Sequence, residues 1–232
     1  MSGQARTGGG RRPRVARVGE VVRTSRLTPH MIRVVLGGEG LAGFPAGEYT
    51  DHYVKLLFPP PGAPYGVPFD PEQVRADHPQ EHWPVTRTYT VRAWDADRGE
   101  LTIDFVYHGD EGLAGPWAAA AAPGDRIQMF GPGGGYAPSP DADWHLLVGD
   151  ESALPAIGVA LTRLPAGVPA LVFVEVEGRR SSSPTWSSAR ASRWCGCTVA
   201  VVPRGPRWSP RSRPWTCRRA VGTCSCTARP AW

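Results

Sequence analysis

Residues 87–92 read Arg-Thr-Tyr-Thr-Val-Arg, a run whose side chains are suited to holding a planar, phosphate-bearing cofactor. In an extended strand, successive side chains point to opposite faces, so Arg87 and Tyr89 share one face and Thr90 takes the other. A flavin needs an aromatic surface against its isoalloxazine, a fixed cation for its phosphates and a small donor near its reactive nitrogens. Tyr89, Arg87 and Thr90 offer these in turn. Taken alone, the run equally describes an ordinary surface strand.

Further motifs follow in order: Val106-Tyr107-His108-Gly109, then Gly131-Pro132-Gly133-Gly134, then Gly149-Asp150-Glu151-Ser152-Ala153-Leu154-Pro155-Ala156, with Asp51-His52-Tyr53-Val54-Lys55-Leu56-Leu57-Phe58-Pro59 ahead of them all. This set resembles the siderophore-interacting protein family of FAD-dependent ferric-siderophore reductases, within the wider ferredoxin-reductase-like group. The resemblance runs from about Arg14 to Gly178. It implies that Tyr89 lies against the flavin ring, Thr90 near its reactive edge and Arg87 on phosphate. His108 and Gly109 through Ala114, Gly115 and Trp117 would carry the FAD pyrophosphate at a helix start, where backbone N–H groups favour anions. The family usually has a Pro-Ala-Ser-type sequence where this chain has Leu113-Ala114-Gly115, so one hydroxyl contact to phosphate is lost. His108 reads equally well as a structural histidine at a strand end, and the glycines at 131–135 as a simple strand-ending turn. Gly149, Asp150, Glu151 and Ser152 resemble the family's nicotinamide-side loop and helix cap, with Ser152 as the capping residue. Glu175 or Glu177 could meet a ribose hydroxyl. Lys55, the one lysine of the chain, could attract an anionic ferric siderophore or be a barrel-surface charge.

Beyond Gly178 the composition changes abruptly. All 21 acidic side chains precede that point, leaving residues 1–178 with a net charge of −6, while residues 179–232 carry 11 arginines, no acid and a net charge of +11. This tail holds all five cysteines and five of the nine tryptophans, yet no Leu, Ile, Phe, Tyr, Met or Lys. A packed core needs such aliphatic residues. Arg, Ser, Pro, Trp, Cys and Ala are what GC-rich DNA yields in a wrong frame. Codons for Cys217 to Ala231 can be chosen so that an adjacent frame reads an apolar strand followed by Gly-Glu-Ala, as the resembled family has there. The segment 179–232 is therefore expected to be out of frame and disordered, and the basic whole-chain balance says nothing about the acidic remainder. Eleven arginines would bind nucleic acid if exposed, but a Trp-rich, Lys-free run is unlike a basic arm, and no nucleic acid is expected.

The positioning elements form two units. Strands are expected at Val15–Thr24, Met31–Gly37, Asp51–Phe58, Thr86–Trp94, Glu100–Tyr107 and Arg126–Phe130, with a short helix over Gly112–Ala122 before the last. That pattern is a six-stranded antiparallel FAD-binding barrel over residues 14–137. Proline-rich residues 59–84 form an insertion with room for one helical turn. Residues 143–178 read as strand, helix and strand (Trp144–Gly149, Ser152–Leu164, Leu171–Glu177), the start of a parallel NAD(P)-binding sheet. Two strands cannot build such a sheet alone.

No resident metal is expected. His78 and His82 have i, i+4 spacing, but Pro79 and Pro84 crowd any helix there, and the cysteine pairs at 195/197 and 224/226 are CxC rather than CxxC. The polar N-terminus shows no signal-peptide core, no apolar run approaches the roughly 20 residues of a membrane helix, and residues 1–178 contain no cysteine. A monomeric cytoplasmic protein is expected. The resemblance implies electron transfer from NAD(P)H through FAD to a ferric siderophore, releasing Fe(II), impaired by loss of the rest of the nucleotide domain. The alternatives are a non-catalytic flavin- or siderophore-binding remnant and an Arg-rich nucleic-acid binder.

Overall fold

Runs rich in β-branched and aromatic residues, punctuated by Gly, Pro and Asp turns, become strands because such side chains pack well on a pleated, half-buried surface. A computed structural model describes residues 16–176, 197–203, 219–220 and 223–224. Its first seven strands are β1 (Ala16–Thr28), β2 (Met31–Gly37), β3 (Tyr53–Phe58), β4 (Val85–Thr90), β5 (Ala93–Asp95), β6 (Glu100–Val106) and β7 (Arg126–Gly133). Helix α1 (Pro71–Asp77) lies in the proline-rich connection, and α2 (Ala114–Ala120) separates β6 from β7. The seven strands form one antiparallel sheet in the order β4-β3-β7-β1-β2-β6-β5.

Six strands in a closed barrel are expected from the sequence; seven are found, and no ladder joins the outermost two among the described residues. The difference lies at Val91 and Arg92, where the expected fourth strand breaks into β4 and β5. The Val91 N–H donates to the His52 carbonyl beside β3 at 2.7 Å, and the next N–H, of Arg92, donates to the Thr102 carbonyl on β6 at 2.9 Å. Two consecutive residues thus bond to opposite ends of the sheet. The sheet wraps accordingly: Tyr89 on β4 meets Phe105 on β6 with ring centroids 4.4 Å apart, although these strands stand far apart in the ladder.

Inside the wrapped sheet, alternate residues form the core. Leu36, Val54, Leu56, Leu101, Ile103 and Met129 are fully buried, each such side chain contributing about 1.5–3 kcal/mol. Asp104 is also buried, and accepts a bidentate pair from its cross-strand partner Arg33 at 2.7 and 2.8 Å, with Arg92 Nε 3.9 Å from its second oxygen. The Asp104 hydrogen bonds raise the Arg33 guanidinium above its ordinary range, despite the opposing effect of burial.

Loops are tied to this body by side chains that close backbone groups. His52 accepts from the Gly47 N–H at 3.0 Å through Nε2, so its Nδ1 carries the proton and donates to the Gly133 carbonyl at 3.1 Å. Asp51 accepts from the N–H groups of Gly135 and Tyr136 at 2.9 Å each. Gly131 takes φ 128° with its Cα against the Tyr53 carbonyl, where a Cβ would come within 3.0 Å of that oxygen. A left-handed φ and a close neighbour together explain glycine at that position.

The second unit is a parallel sheet of three strands rather than two, β8 (His145–Gly149), β9 (Ala170–Val176) and β10 (Cys197–Pro203), in the order β10-β9-β8. Helix α3 (Leu154–Arg163) covers one face, burying Ile157, Ala160 and Leu161 against Leu147, Val172 and Val174. Strand β10 lies within the segment expected to be without structure. Its residues, Cys-Thr-Val-Ala-Val-Val-Pro, are a short β-branched run that can extend a parallel ladder even where the surrounding composition cannot form a core. A separate hairpin pairs β11 (Arg219–Ala220) with β12 (Thr223–Cys224). The rest of the tail, including the arginines from Arg179 to Arg218 and most of the proposed frame change, lies outside the described residues. No helix among the described residues is long and apolar enough to cross a membrane.

The proline-rich connection hangs on one buried residue. Gln128, 1% exposed, accepts from the Phe69 N–H at 2.9 Å and donates to the Phe69 carbonyl at 2.7 Å. Gln128→Leu keeps the volume but removes both partners, and each buried group left unpaired costs about 1–3 kcal/mol. The variant is expected to lose about 2 kcal/mol in a urea melt and to be cut sooner by trypsin after Arg75 in α1. Unchanged stability and unchanged cleavage would refute this reading.

Candidate functional site

Strand β4 carries Arg87, Tyr89 and Thr90 at the outer end of the sheet. Its register with β3 places Arg87 opposite Leu56 and Tyr89 opposite Val54, on the core-facing side, and Thr90 opposite Tyr53 on the other. Tyr89 is half-buried against Phe105. Burial pushes its phenol up, an effect the neighbouring Arg87 charge counters in part. Phe105 in turn meets Trp117 of α2 at 5.6 Å, and Trp117 meets Phe58 at 5.9 Å. A continuous aromatic row therefore runs from β4 to α2. Phe105 is the residue sequence reasoning missed. As one more apolar position in an alternating strand, it gave no sign that it joins the two motifs.

Helix α2 opens at Ala114 without a side-chain cap, and Pro116 in its first turn has no N–H to satisfy. The N–H groups of Ala114 and Gly115 belong to the first turn, where none has an intrahelical partner and the helix end favours negative charge. A Cβ on Gly115 would sit 3.1 Å from the Val106 carbonyl oxygen, so α2 lies directly on the end of β6. The missing hydroxyl at this position thus comes with a packing reason. His108 is exposed, its ring 6.3 Å from that of His30, and Gly109 has φ 73° in open space. Exposed Arg87 donates to the carbonyl of its neighbour Thr86 at 3.0 Å. A half-buried aromatic, a guanidinium engaged, among the described residues, only within its own strand, and an uncapped helix start fit a flavin dinucleotide.

Lys55 stands elsewhere. It lies on β3 opposite Thr88 and shares the outward side of the sheet with Tyr53 and Thr90, away from the side that carries Tyr89. Lys55 and Thr90 therefore belong to one face of the strand pair, and Tyr89 with Arg87 to the other.

The third motif lies where β8 passes into α3. A pocket of about 500 Å³ opens there, lined by Val148, Gly149, Asp150, Ala153, Phe173, Val174 and Glu175. It sits at the carboxyl ends of two parallel strands, the place where open α/β sheets bind ligands. A Cβ on Gly149 would come within 2.4 Å of the Ala153 Cβ, so strand and helix meet too closely for any other residue. Ser152 is not the helix cap. Ala153 stands at that position without a side-chain cap bond, and Asp150 closes the turn ahead of the helix, accepting through Oδ1 from the N–H groups of Ser152 at 2.9 Å and Ala153 at 3.2 Å and from the Ser152 hydroxyl. Of the three candidate side chains, Asp150 and Ser152 thus turn inward on each other. Glu151 is buried and does not line the pocket, whereas Glu175, named only for its place at a strand end, does.

The Ser152 hydroxyl, followed by the Ser152 and Ala153 N–H groups, holds the Asp150 carboxyl below its ordinary range. A folded-state pKa depressed below the unfolded value, about 3.9, adds stability that is present above that value and is lost as pH falls through the folded one. Asp150→Ala is therefore expected to destabilise the second unit at neutral pH, and the gap from the parent should shrink in urea melts run progressively below about pH 4. A gap that is constant with pH would count against this role.

Comparison with known proteins gives a consistent result. Residues 20–136 match the siderophore-interacting FAD-binding domain family and residues 142–196 the siderophore-interacting protein family. An uncharacterized protein of Mycobacterium tuberculosis is 50% identical over 161 residues, covering 68% of this chain and 57% of the relative. The ferric vibriobactin reductase ViuB of Vibrio cholerae is 39% identical over 160 residues, covering 68% and 58%. The chain thus spans a little over half the length of these relatives. The crystal structure of a siderophore utilization protein from T. fusca superposes with a TM-score of 0.68 at 35% identity, over 86% of this chain and 73% of that one. The antiparallel sheet and the parallel sheet that follows it agree with these matches, and the chain belongs to the siderophore-interacting protein family, with an FAD-binding domain at residues 20–136.

Proposed function

We propose that this chain holds FAD against β4 and α2 and passes electrons from NAD(P)H to a ferric siderophore. The observation that carries the reading is the Tyr89–Phe105–Trp117 row beside exposed Arg87 and the open first turn of α2. FAD, when bound, converts a two-electron donor into one-electron steps. Tyr89 supplies the stacking surface, Arg87 and the N–H groups of Ala114 and Gly115 meet phosphate, and Thr90 reaches the ring's edge from the other side of β4. The pocket at Gly149, Asp150 and Glu175 would receive the dinucleotide. Hard oxygen ligands of a siderophore hold Fe(III) far better than Fe(II), so a single electron frees the metal. No general acid, base or nucleophile is required. Lys55, on the Thr90 face, would attract the anionic ferric complex.

A second reading is a flavin-binding protein without nicotinamide turnover. The acid-free, Leu- and Ile-free composition of residues 179–232 favours it. An anaerobic visible spectrum separates the readings. A yellow protein bleached by NAD(P)H and reoxidised by a ferric siderophore supports the first, and bleaching by dithionite alone supports the second. A colourless protein that shifts DNA would overturn both in favour of nucleic-acid binding.

Within the flavin reading, Tyr89→Ala removes stacking worth about 0.5–1.5 kcal/mol beyond simple burial. It is expected to weaken FAD retention by up to roughly tenfold. Lys55→Ala should keep its flavin and raise KM for an anionic ferric chelate. Equal FAD content in the two purified variants would sink the assignment of Tyr89.

A further inference from the structure

Arg23, Arg26 and Arg33 all stand on the β1–β2 hairpin, and they meet different partners. Arg23 is held by Glu100 and Arg33 by Asp104, each through paired hydrogen bonds at 2.7 and 2.8 Å. Arg26 has no carboxylate within ion-pair distance among the described residues. Its guanidinium donates through Nη1 to the Pro29 carbonyl at 3.2 Å and lies over the Tyr107 ring, 4.6 Å from the centroid. Because a guanidinium carries five N–H donors in a rigid fork, most of them stay open.

The register places Arg26 on the side of the aromatic row. Arg26 stands opposite Ile32, and Ile32 opposite Phe105. Directly opposed residues share a face, so Arg26 is in line with the ring that meets Tyr89 at 4.4 Å. Ile32 and Phe105 are buried and Arg26 is exposed, which puts the guanidinium at the rim. The hairpin tip beside it is fixed. The Thr28 hydroxyl accepts from the His30 N–H at 3.1 Å, and the Tyr107 N–H donates to the His30 carbonyl at 2.9 Å. Tyr107 also reaches α2: a Cβ on Gly115 would lie 3.7 Å from its ring. Arg26, Tyr107 and Gly115 therefore follow one another in contact, and Gly115 is the position where the family's hydroxyl is lost.

We propose that Arg26 is a further phosphate-binding residue of the flavin site, replacing beside Gly115 the contact that a hydroxyl there would make. This rests on the flavin reading. A guanidinium meets a phosphate through two parallel charge-assisted bonds, and the Tyr107 face sets the plane in which it presents them. Arg87 on β4 and Arg26 on β1 approach the diphosphate from strands that are not neighbours in the sheet.

Equilibrium binding of FAD and of riboflavin to the full chain, read by flavin fluorescence, tests this, since riboflavin has the ring without phosphate. Arg26→Gln removes the charge. It is expected to raise the Kd for FAD about tenfold at low salt and to leave that for riboflavin unchanged. Added salt should narrow the difference, because the contact lies at an exposed rim. Arg26→Lys, which keeps the charge and loses the fork, should fall between, and Arg23→Gln on the same strand should match the parent. Circular dichroism establishes that the variants are folded. An unchanged Kd for FAD in Arg26→Gln overturns the assignment. So does an equal loss for riboflavin, which would mean that Arg26 acts only by supporting Tyr107. A parent that binds neither ligand sinks the flavin reading itself, and this inference with it.

Discussion

One constraint organises the first unit: the chain passes from one end of a seven-stranded sheet to the other in two residues. Val91 bonds to His52 beside β3 and Arg92 bonds to Thr102 on β6. Because a trans peptide spans only about 3.8 Å between Cα atoms, the two ends of the sheet are held within bonding reach of each other. The sheet therefore has to wrap, even though its outer strands share no ladder. That closure brings Tyr89 on one end against Phe105 near the other.

Buried charge reinforces the same junction. Asp104 is bound in a fork by Arg33 from the neighbouring strand, and Arg92 approaches from the bridge. Removing one partner of a buried ion pair commonly costs about 3–5 kcal/mol, because the other is left uncompensated in low dielectric. Asp104 thus ties the residue after the bridge to the middle of β6. The strand before the bridge then presents two chemistries on two faces. Arg87 and Tyr89 face the aromatic row, and Thr90 lies with Tyr53 and Lys55 on the opposite face. A single strand thus carries an aromatic and cationic side and a separate side with the chain's one lysine.

Much of this was legible in the sequence, for identifiable reasons. Strands β2, β3, β6 and β9 fall within a residue or two of expectation because their apolar alternation is strong and their ends are marked by Gly, Pro or Asp. The break inside 86–94 was not legible. Val91 is apolar and β-favouring, and nothing in its type shows that its N–H turns to a different strand from its neighbour's. Asp150 and Ser152 are both good capping residues by type, and only geometry shows that they close the turn before α3 instead of capping it. The Asp104 fork was hidden because an aspartate in a strand reads as exposed until its partner strand is known. Strand β10 was missed because the composition of the tail was weighed as a whole, whereas seven residues suffice for a ladder.

His52 has a consequence of its own. Its ring joins the Gly47 loop, the start of β3 and the last residue of β7, and it can do so in one tautomer only, with the proton on Nδ1. An amide side chain could reproduce one of these bonds but could not span both partners from opposite sides of a ring. The stitch therefore sorts substitutions by type: a side chain that can only donate would keep the Gly133 strand end and let the Gly47 loop go, and one that can only accept would do the reverse.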